Sequence, residues 1–277
     1  LGNATKSNNF KSVAPDRYFD MGISEQDMMG TAAGFAAAGR IPIVSTFAVF
    51  ATGRAFEIIR NSICYPKLNV KICATHAGLT VGEDGGSHQA VEDISLMRSL
   101  PNMTVINPAD CKEAEEAIKA AVQYEGPVYI RLGRAAVPDI HDDSYTFTWG
   151  KGEVLRDGGD VAIIATGIMV AKALDAAEAL AKEGIQATVV NIHTIKPIDE
   201  ELIVDVAKKT GKIVTCEEAS VIGGLGSAVA EVLARKCPTK QAFVGIQDTF
   251  GESGSPADLL KKYGLTAEHI VKAAKSL

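Results

Sequence analysis

The sequence predicts an α/β protein of two domains, each built around a mostly parallel sheet. Three observations predict this class. Short apolar runs alternate with helical segments along the whole chain, the alternation starts again after a polar, turn-rich stretch at 136–149, and 277 residues suffice for about two cores. Strands that alternate with helices are joined by crossovers, which make neighbouring strands parallel. We therefore expect a boundary near residue 145.

The first half of the chain supplies alternating elements before that boundary. Ser24 is a suitable N-cap for the helix that follows it, and Asp27 lies three residues further on. The predicted elements are a helix over 25–40, a strand over 41–50, a helix over 53–66, a strand over 69–76, a strand over 104–110, a helix over 111–125 and a strand over 127–133.

The second half repeats the alternation after the boundary. Gly184 is expected at the C-terminal end of a long helix, where glycine readily takes the left-handed conformation. The predicted elements are strands over 160–167, 186–194, 212–219 and 242–248, and helices over 168–184 and 226–236.

Composition argues against several classes of function. The chain has 28 basic and 34 acidic residues and a net charge of −6, which is atypical of a nucleic-acid-binding surface. No apolar run reaches the roughly 18 residues that a membrane helix needs. The 5 cysteines are odd in number and widely scattered, which favours reduced thiols in a cytoplasm and no zinc site. Because the chain begins at Leu1 and not at methionine, we expect the start of the first domain to be missing.

The most unusual stretch is GEDGGSHQAVED at 82–93. Its glycines are typical of a shaped loop that lets the backbone approach a ligand closely. The loop follows the strand over 69–76, and ligands of parallel α/β sheets bind at the carboxyl ends of strands. His76, Glu25 and Phe47 also fall at strand ends or helix starts. We therefore expect these segments to converge on one cleft.

Four segments carry a resemblance to a known family. GISEQDMMGTAAGFAAAG, STFAVFATGRAFEIIRNS, THAGLTVGEDGGSHQAVEDISLMRSLPNMTVINPAD and GPVYIRLGR resemble, in order and spacing, the C-terminal half of transketolases. The resemblance implies a pyrimidine-binding domain over 1–140, a linker over 141–149, and a smaller, mixed-sheet transketolase C-terminal domain over 150–277. It also implies thiamine diphosphate as cofactor.

A motif of the family's other half is missing. That half carries GDG, which binds magnesium and the diphosphate, and GDG occurs nowhere in this chain. The chain therefore resembles the smaller subunit of a split transketolase, whose N-terminal partner subunit holds Mg²⁺ or another divalent ion. The resemblance then implies an α2β2-type heterotetramer. A truncated single-chain transketolase is the competing explanation.

The resemblance assigns three residues to the cofactor. Glu25 matches the catalytic glutamate that contacts the aminopyrimidine ring, and Phe47 and Phe50 match aromatic residues that pack on that ring. Without the resemblance, Glu25 would be an ordinary first-turn glutamate and the two phenylalanines would be core residues. Gly53 stands where many transketolases have a tyrosine, so part of the usual aromatic box is missing or rearranged.

The resemblance assigns four residues to the sugar substrate. His88 matches the catalytic loop histidine beside the two-carbon donor unit, and Asp84 matches an aspartate that reads a sugar hydroxyl. The alternative is that both only stabilise turns of the loop. His76 and Arg134 match residues that hold the terminal phosphate, for which a guanidinium is well shaped. Arg131, in the same stretch, is the alternative phosphate ligand.

These assignments predict transfer of a two-carbon ketol unit from a ketose phosphate to an aldose phosphate. Two alternatives stay open. The first is a fragment of a deoxyxylulose-phosphate-synthase-like enzyme, because those enzymes carry a similar loop. The second is a non-catalytic α/β assembly module, because a fold does not imply a function. The joint presence of Glu25, Asp84, His88 and Arg134 favours an enzyme subunit, since an assembly module does not need all four.

Overall fold

Two five-stranded sheets flanked by helices organise residues 2–277, the part of the chain that this computed structural model describes. The fold class predicted from the sequence is confirmed, since both sheets are largely parallel and both carry one antiparallel strand. Leu1 lies outside the described residues, so the structure does not test the expectation that the start of the first domain is missing.

The first sheet has the strand order β1-β2-β4-β3-β8. Its strands are β1 (Ile43–Val44), β2 (Lys71–Ala74), β3 (Thr104–Ile106), β4 (Val128–Arg131) and β8 (Thr194–Lys196). The first four pair in parallel, whereas β8 runs antiparallel to β3. β8 comes from the second half of the sequence, so the chain returns from the second sheet to extend the edge of the first.

The second sheet has the strand order β10-β9-β6-β7-β5. Its strands are β5 (Glu153–Arg156), β6 (Val161–Ala165), β7 (Ala187–Asn191), β9 (Lys212–Ser220) and β10 (Lys240–Ile246). Every residue of β6 and β7 is buried, because helices cover both faces of a parallel sheet. This burial explains why the two strands read as continuous apolar runs.

The helices connect these strands. They are α1 (Asn8–Val13), α2 (Glu25–Ala37), α3 (Phe56–Ile58), α4 (Asp93–Ser99), α5 (Cys111–Gln123), α6 (Met169–Lys182), α7 (Glu200–Thr210), α8 (Leu225–Lys236), α9 (Pro256–Lys262) and α10 (Ala267–Lys275). Gly184 follows α6 with φ +83°, as predicted for a helix C-terminus. Ser24 occupies the N-cap position of α2, but its side chain makes no capping hydrogen bond.

The segment 41–66 differs from its prediction. The predicted strand shrinks to β1 plus one bridge between Phe47 and Thr75, and the chain is already helical from Ala48. Wide π-helical turns at Phe50–Arg54 and Ile59–Cys64 flank the single α-helical turn of α3. Short apolar runs fit a strand and a buried helix equally well, so periodicity alone could not place this boundary.

Within residues 2–277, no helix combines the length and the apolar character needed to cross a membrane.

Candidate active site

The predicted site residues gather at the carboxyl ends of β1, β2 and β4, and we call the space beside them the cleft. β2 delivers the chain to His76, whose backbone has the left-handed value φ +58°. Ala77 N–H then donates to the carbonyl of Leu132 just beyond β4, and Ala48 N–H donates to the carbonyl of Thr75. These backbone bonds draw the three chain segments together at one edge of the sheet.

Glu25 carries a buried carboxyl group at the first position of α2. Its side chain is 2% exposed, and its Oε2 accepts a hydrogen bond from Arg54 Nη1 at 2.9 Å. Thr46 Oγ1 donates to the other carboxylate oxygen at 3.5 Å. The Arg54 guanidinium also lies over the Phe50 ring, 4.7 Å from its centroid, and 47% of the Arg54 side chain is exposed. Sequence reasoning missed Arg54, whose only signal was its place beside Gly53 in an aromatic-rich stretch.

Four rings form an aromatic wall, of which the two imidazoles also reach the polar rim described below. Phe47 stacks on His76 with ring centroids 3.9 Å apart, and Phe50 lies 6.1 Å from Phe47. His88 meets the Phe50 ring edge-on at 5.4 Å. The space beside Gly53 is open, because no atom lies within 4 Å of the point where a Cβ would stand. The structure thus brings together side chains that are far apart in sequence.

The polar rim of the cleft holds the remaining predicted residues. Arg134 Nη1 donates to the carbonyl of Val81 at 2.5 Å and lies 3.6 Å from Asp84 Oδ2. Burial, followed by the positive charge of Arg134, lowers the pKa of His76 below its usual value. His76 is therefore a neutral imidazole near pH 7, with Nδ1 hydrogen-bonded to Thr75 Oγ1 at 2.9 Å. His88 Nδ1 is hydrogen-bonded to Ser87 Oγ at 2.9 Å.

Arg131 belongs to a different environment from Arg134. Its side chain is 4% exposed, and its Nε donates to Asp93 Oδ2 at 2.8 Å. Its Nη2 donates to the backbone carbonyls of Ala90 and Glu218 at 3.2 and 2.9 Å. Arg131 therefore joins the cleft-forming loop to β9 of the second sheet, while the partly exposed Arg134 faces the rim.

Two residues that sequence reasoning missed, Glu218 in β9 and Gln89 within the loop, connect the 82–93 loop and the residues just before it to the second half of the chain. Glu218 Oε1 accepts a hydrogen bond from the backbone of Thr80 at 2.6 Å. Gln89 Nε2 donates to the carbonyls of Gly82 and Glu252 at 3.2 and 2.9 Å. Neither role has a sequence signal, because each depends on which strand packs behind the loop. The loop is thereby held on two sides.

The cleft has the chemistry to hold an aminopyrimidine ring. A buried carboxylate at Glu25 suits a ring nitrogen and an amino group, and the faces of Phe47 and Phe50 suit a flat ring. A site for a metal-bound diphosphate is a separate matter: in the part of the chain that the structure describes, no three His, Cys, Asp or Glu residues cluster to hold a metal.

Known proteins resemble this chain over nearly its whole length. It is 48% identical to a 6-deoxy-6-sulfo-D-fructose transketolase subunit of Clostridium sp. (strain MSTE9), over 98% of this chain and 84% of that protein. It is 41% identical to a 1-deoxy-D-xylulose-5-phosphate synthase of Desulforudis audaxviator (strain MP104C), over 96% of this chain and 42% of that protein. A solved structure described as a split gene transketolase, inactive beta4 tetramer, matches with a TM-score of 0.94 and 57% identity, over 100% of this chain and 89% of that chain.

Two family models divide the chain between them. The model of the transketolase pyrimidine binding domain matches residues 1–139, and the model of the transketolase C-terminal domain matches residues 150–270. The chain therefore belongs to the transketolase family, of which it carries these two domains.

Proposed function

We propose that this chain is the C-terminal subunit of a split transketolase that transfers a two-carbon ketol unit from a ketose phosphate to an aldose phosphate. The observation that supports the proposal is that a buried Glu25, a group of aromatic rings and a pair of partly exposed charged residues lie at one end of the first sheet. When bound, thiamine diphosphate supplies the carbon nucleophile and the electron sink for this transfer.

Glu25, Phe47 and Phe50 are proposed to bind the cofactor's aminopyrimidine. The buried Glu25 carboxylate would hold and exchange a proton with the ring nitrogen, because a low-dielectric site strengthens such a contact. The two phenylalanine rings would orient the flat ring and exclude water from it. Phe47 is buried and fixed by its stack on His76, which makes it a rigid part of this wall.

The rim residues are proposed to bind the sugar phosphates. His88 would donate a hydrogen bond to the oxygen that gains charge during transfer, and Asp84 would accept one from a sugar hydroxyl. Arg134 and the neutral His76 would hold the terminal phosphate, the first by its planar fork and the second by a ring N–H. Arg134 Nη1 lies 3.6 Å from Asp84 Oδ2, and both side chains are partly exposed, so both are accessible to a sugar phosphate.

The diphosphate and Mg²⁺ are proposed to be held by an N-terminal transketolase subunit in an α2β2-type assembly. The solved relative described as an inactive beta4 tetramer supports this division, because its description joins inactivity to an assembly of beta chains alone. We expect the complex to work in the cytoplasm, since the 5 cysteines are all free thiols.

The test is a titration of thiamine diphosphate and Mg²⁺ into this chain alone, into a candidate partner with the GDG motif, and into their mixture. We expect tight binding and ketol transfer only in the mixture. Glu25→Gln should lower kcat by roughly 10²- to 10⁴-fold, the usual contribution of a positioned acid–base group. Asp27→Asn, an exposed change on the same helix, should leave kcat within about twofold. Tight cofactor binding by this chain alone would contradict the shared site.

A second candidate is a subunit related to deoxyxylulose-phosphate synthases, and the 41% identity to such an enzyme favours it. The two activities give products that differ by one oxygen atom, because the synthase product is a 1-deoxy sugar. Mass analysis of the sugar phosphate formed by the mixture therefore separates them. A mixture that binds the cofactor but forms neither product would leave a non-catalytic assembly module as the explanation.

A further inference from the structure

Arg54 contacts both kinds of group that the proposed function assigns to the aminopyrimidine. Its Nη1 donates to Glu25 Oε2 at 2.9 Å, and its guanidinium lies 4.7 Å from the centroid of the Phe50 ring. A guanidinium is flat, carries N–H donors along its edge and stacks on aromatic rings. An aminopyrimidine is likewise flat, carries N–H donors on its edge and stacks on aromatic rings, so it would recognise the same carboxylate and the same ring.

The local backbone leaves Arg54 room to move. It ends the wide helical turn Phe50–Arg54, and turns of this kind are frequent at functional sites. The neighbouring Gly53 faces open space. Because 47% of the Arg54 side chain is exposed, water can solvate the guanidinium when it leaves Glu25, and the incoming ring then replaces it as the partner of the buried carboxylate.

We propose that Arg54 occupies the aminopyrimidine position of the cofactor-free chain and must swing away from Glu25 before the cofactor's ring can bind. The inference rests on the proposed function, which supplies the ligand. In the cofactor-free chain, Arg54 keeps the buried Glu25 carboxylate paired. The cofactor's ring can bind only while Arg54 is away from the site, so its apparent affinity falls as Arg54 spends more time there.

The test uses the isolated full chain and 4-amino-5-hydroxymethyl-2-methylpyrimidine, a fragment that lacks the diphosphate and needs no partner subunit. Calorimetry or ligand-observed NMR gives its Kd for wild type, Arg54→Gln and Arg60→Gln. Arg60 is exposed on the same helical segment, so its change removes the same charge away from the cleft. We expect Arg54→Gln to bind about tenfold more tightly than wild type, equivalent to about 1.4 kcal/mol, and Arg60→Gln to match wild type.

Ionic strength gives a second measurement that needs no variant. Salt screens the charge of the half-exposed Arg54 in its pair with the buried Glu25, so raising NaCl from about 0.05 to about 0.5 M should tighten fragment binding to wild type by about two- to threefold. The neutral fragment's affinity for Arg54→Gln should not change with salt. This arm keeps the inference testable if Arg54→Gln fails to fold.

Three results would overturn the inference. If Arg54→Gln binds the fragment as tightly as wild type or more weakly, Arg54 is a permanent partner of Glu25 and does not compete with the ring. Salt-independent affinity in wild type would mean that the ion pair does not compete with the fragment. Absence of fragment binding in every chain would mean that removing Arg54 exposes no pyrimidine site. Failure of the proposed function is distinguishable, because it would appear as a partner mixture without ketol transfer even where Arg54→Gln tightens fragment binding.

Discussion

Replacing Arg131 with methionine should destabilise the fold severely. The change removes a buried cation that donates to Asp93 Oδ2. Asp93 is fully buried, and its Oδ2 then keeps the hydrogen bond from the Tyr129 hydroxyl at 2.6 Å but loses the one from Arg131. The change also removes the donors to the carbonyls of Ala90 and Glu218. Breaking a buried pair from one side costs about 3–5 kcal/mol, because a charge stays in the core without its partner. Arg131 therefore serves stability.

Arg134→Met is the matched control on the same segment. Its side chain is 43% exposed, and its ion pairs to Asp84 and Glu83 have distances of 3.6 and 4.0 Å. Exposed pairs of this kind contribute about 0–1 kcal/mol, so this variant should keep nearly wild-type stability. It should instead raise the KM for phosphorylated sugars in the partner mixture.

Urea unfolding followed by circular dichroism measures both variants. With a slope of about 3 kcal/mol/M, the Arg131→Met midpoint should fall by roughly 1–1.7 M and the Arg134→Met midpoint by less than about 0.3 M. If Arg131→Met does not fold, adding Asp93→Asn should restore much of the stability, because the unpaired charge is then gone. Equal midpoints for the two arginine variants, or no recovery in the double variant, would refute the reasoning.

Two further predictions concern stability. Burial raises the pKa values of Glu217 and Glu218 from 4.5 to about 7. The free energy of unfolding that each protonated carboxyl contributes is therefore complete below about pH 4.5 and is lost as pH rises through about 7. Glu217→Gln should gain stability relative to wild type between pH 5 and 8, and a difference in urea midpoint that stays constant with pH would contradict this. Gly226→Ala should cost about 1–3 kcal/mol, because its Cβ would stand 2.5 Å from a ring carbon of Phe243. Gly30→Ala, in open space within α2, should instead add about 0.5–1 kcal/mol, and thermal melts that reverse this order would refute the packing argument.

Sequence periodicity predicted most of the α/β alternation because it is a local property. Buried parallel strands such as β6 and β7 read as short apolar runs, and Gly184 marked the end of α6 through its left-handed backbone. The loop GEDGGSHQ was likewise visible as a cluster of glycine and polar residues after a strand. The roles of Glu25, Asp84, His88 and Arg134 stay predictions, since they came from family resemblance and not from periodicity.

By itself, the sequence determined the fold class, the family and the neighbourhood of the candidate site. Only the tertiary structure decided that Arg131 is buried on Asp93 while Arg134 reaches the rim, that β8 returns to the first sheet, and that Arg54 pairs with Glu25. The physical reason is that patterns of polarity along a chain record which side of a strand or helix is buried. They do not record which distant side chain completes a buried charge, because that depends on strand order and on the packing of one sheet against the other.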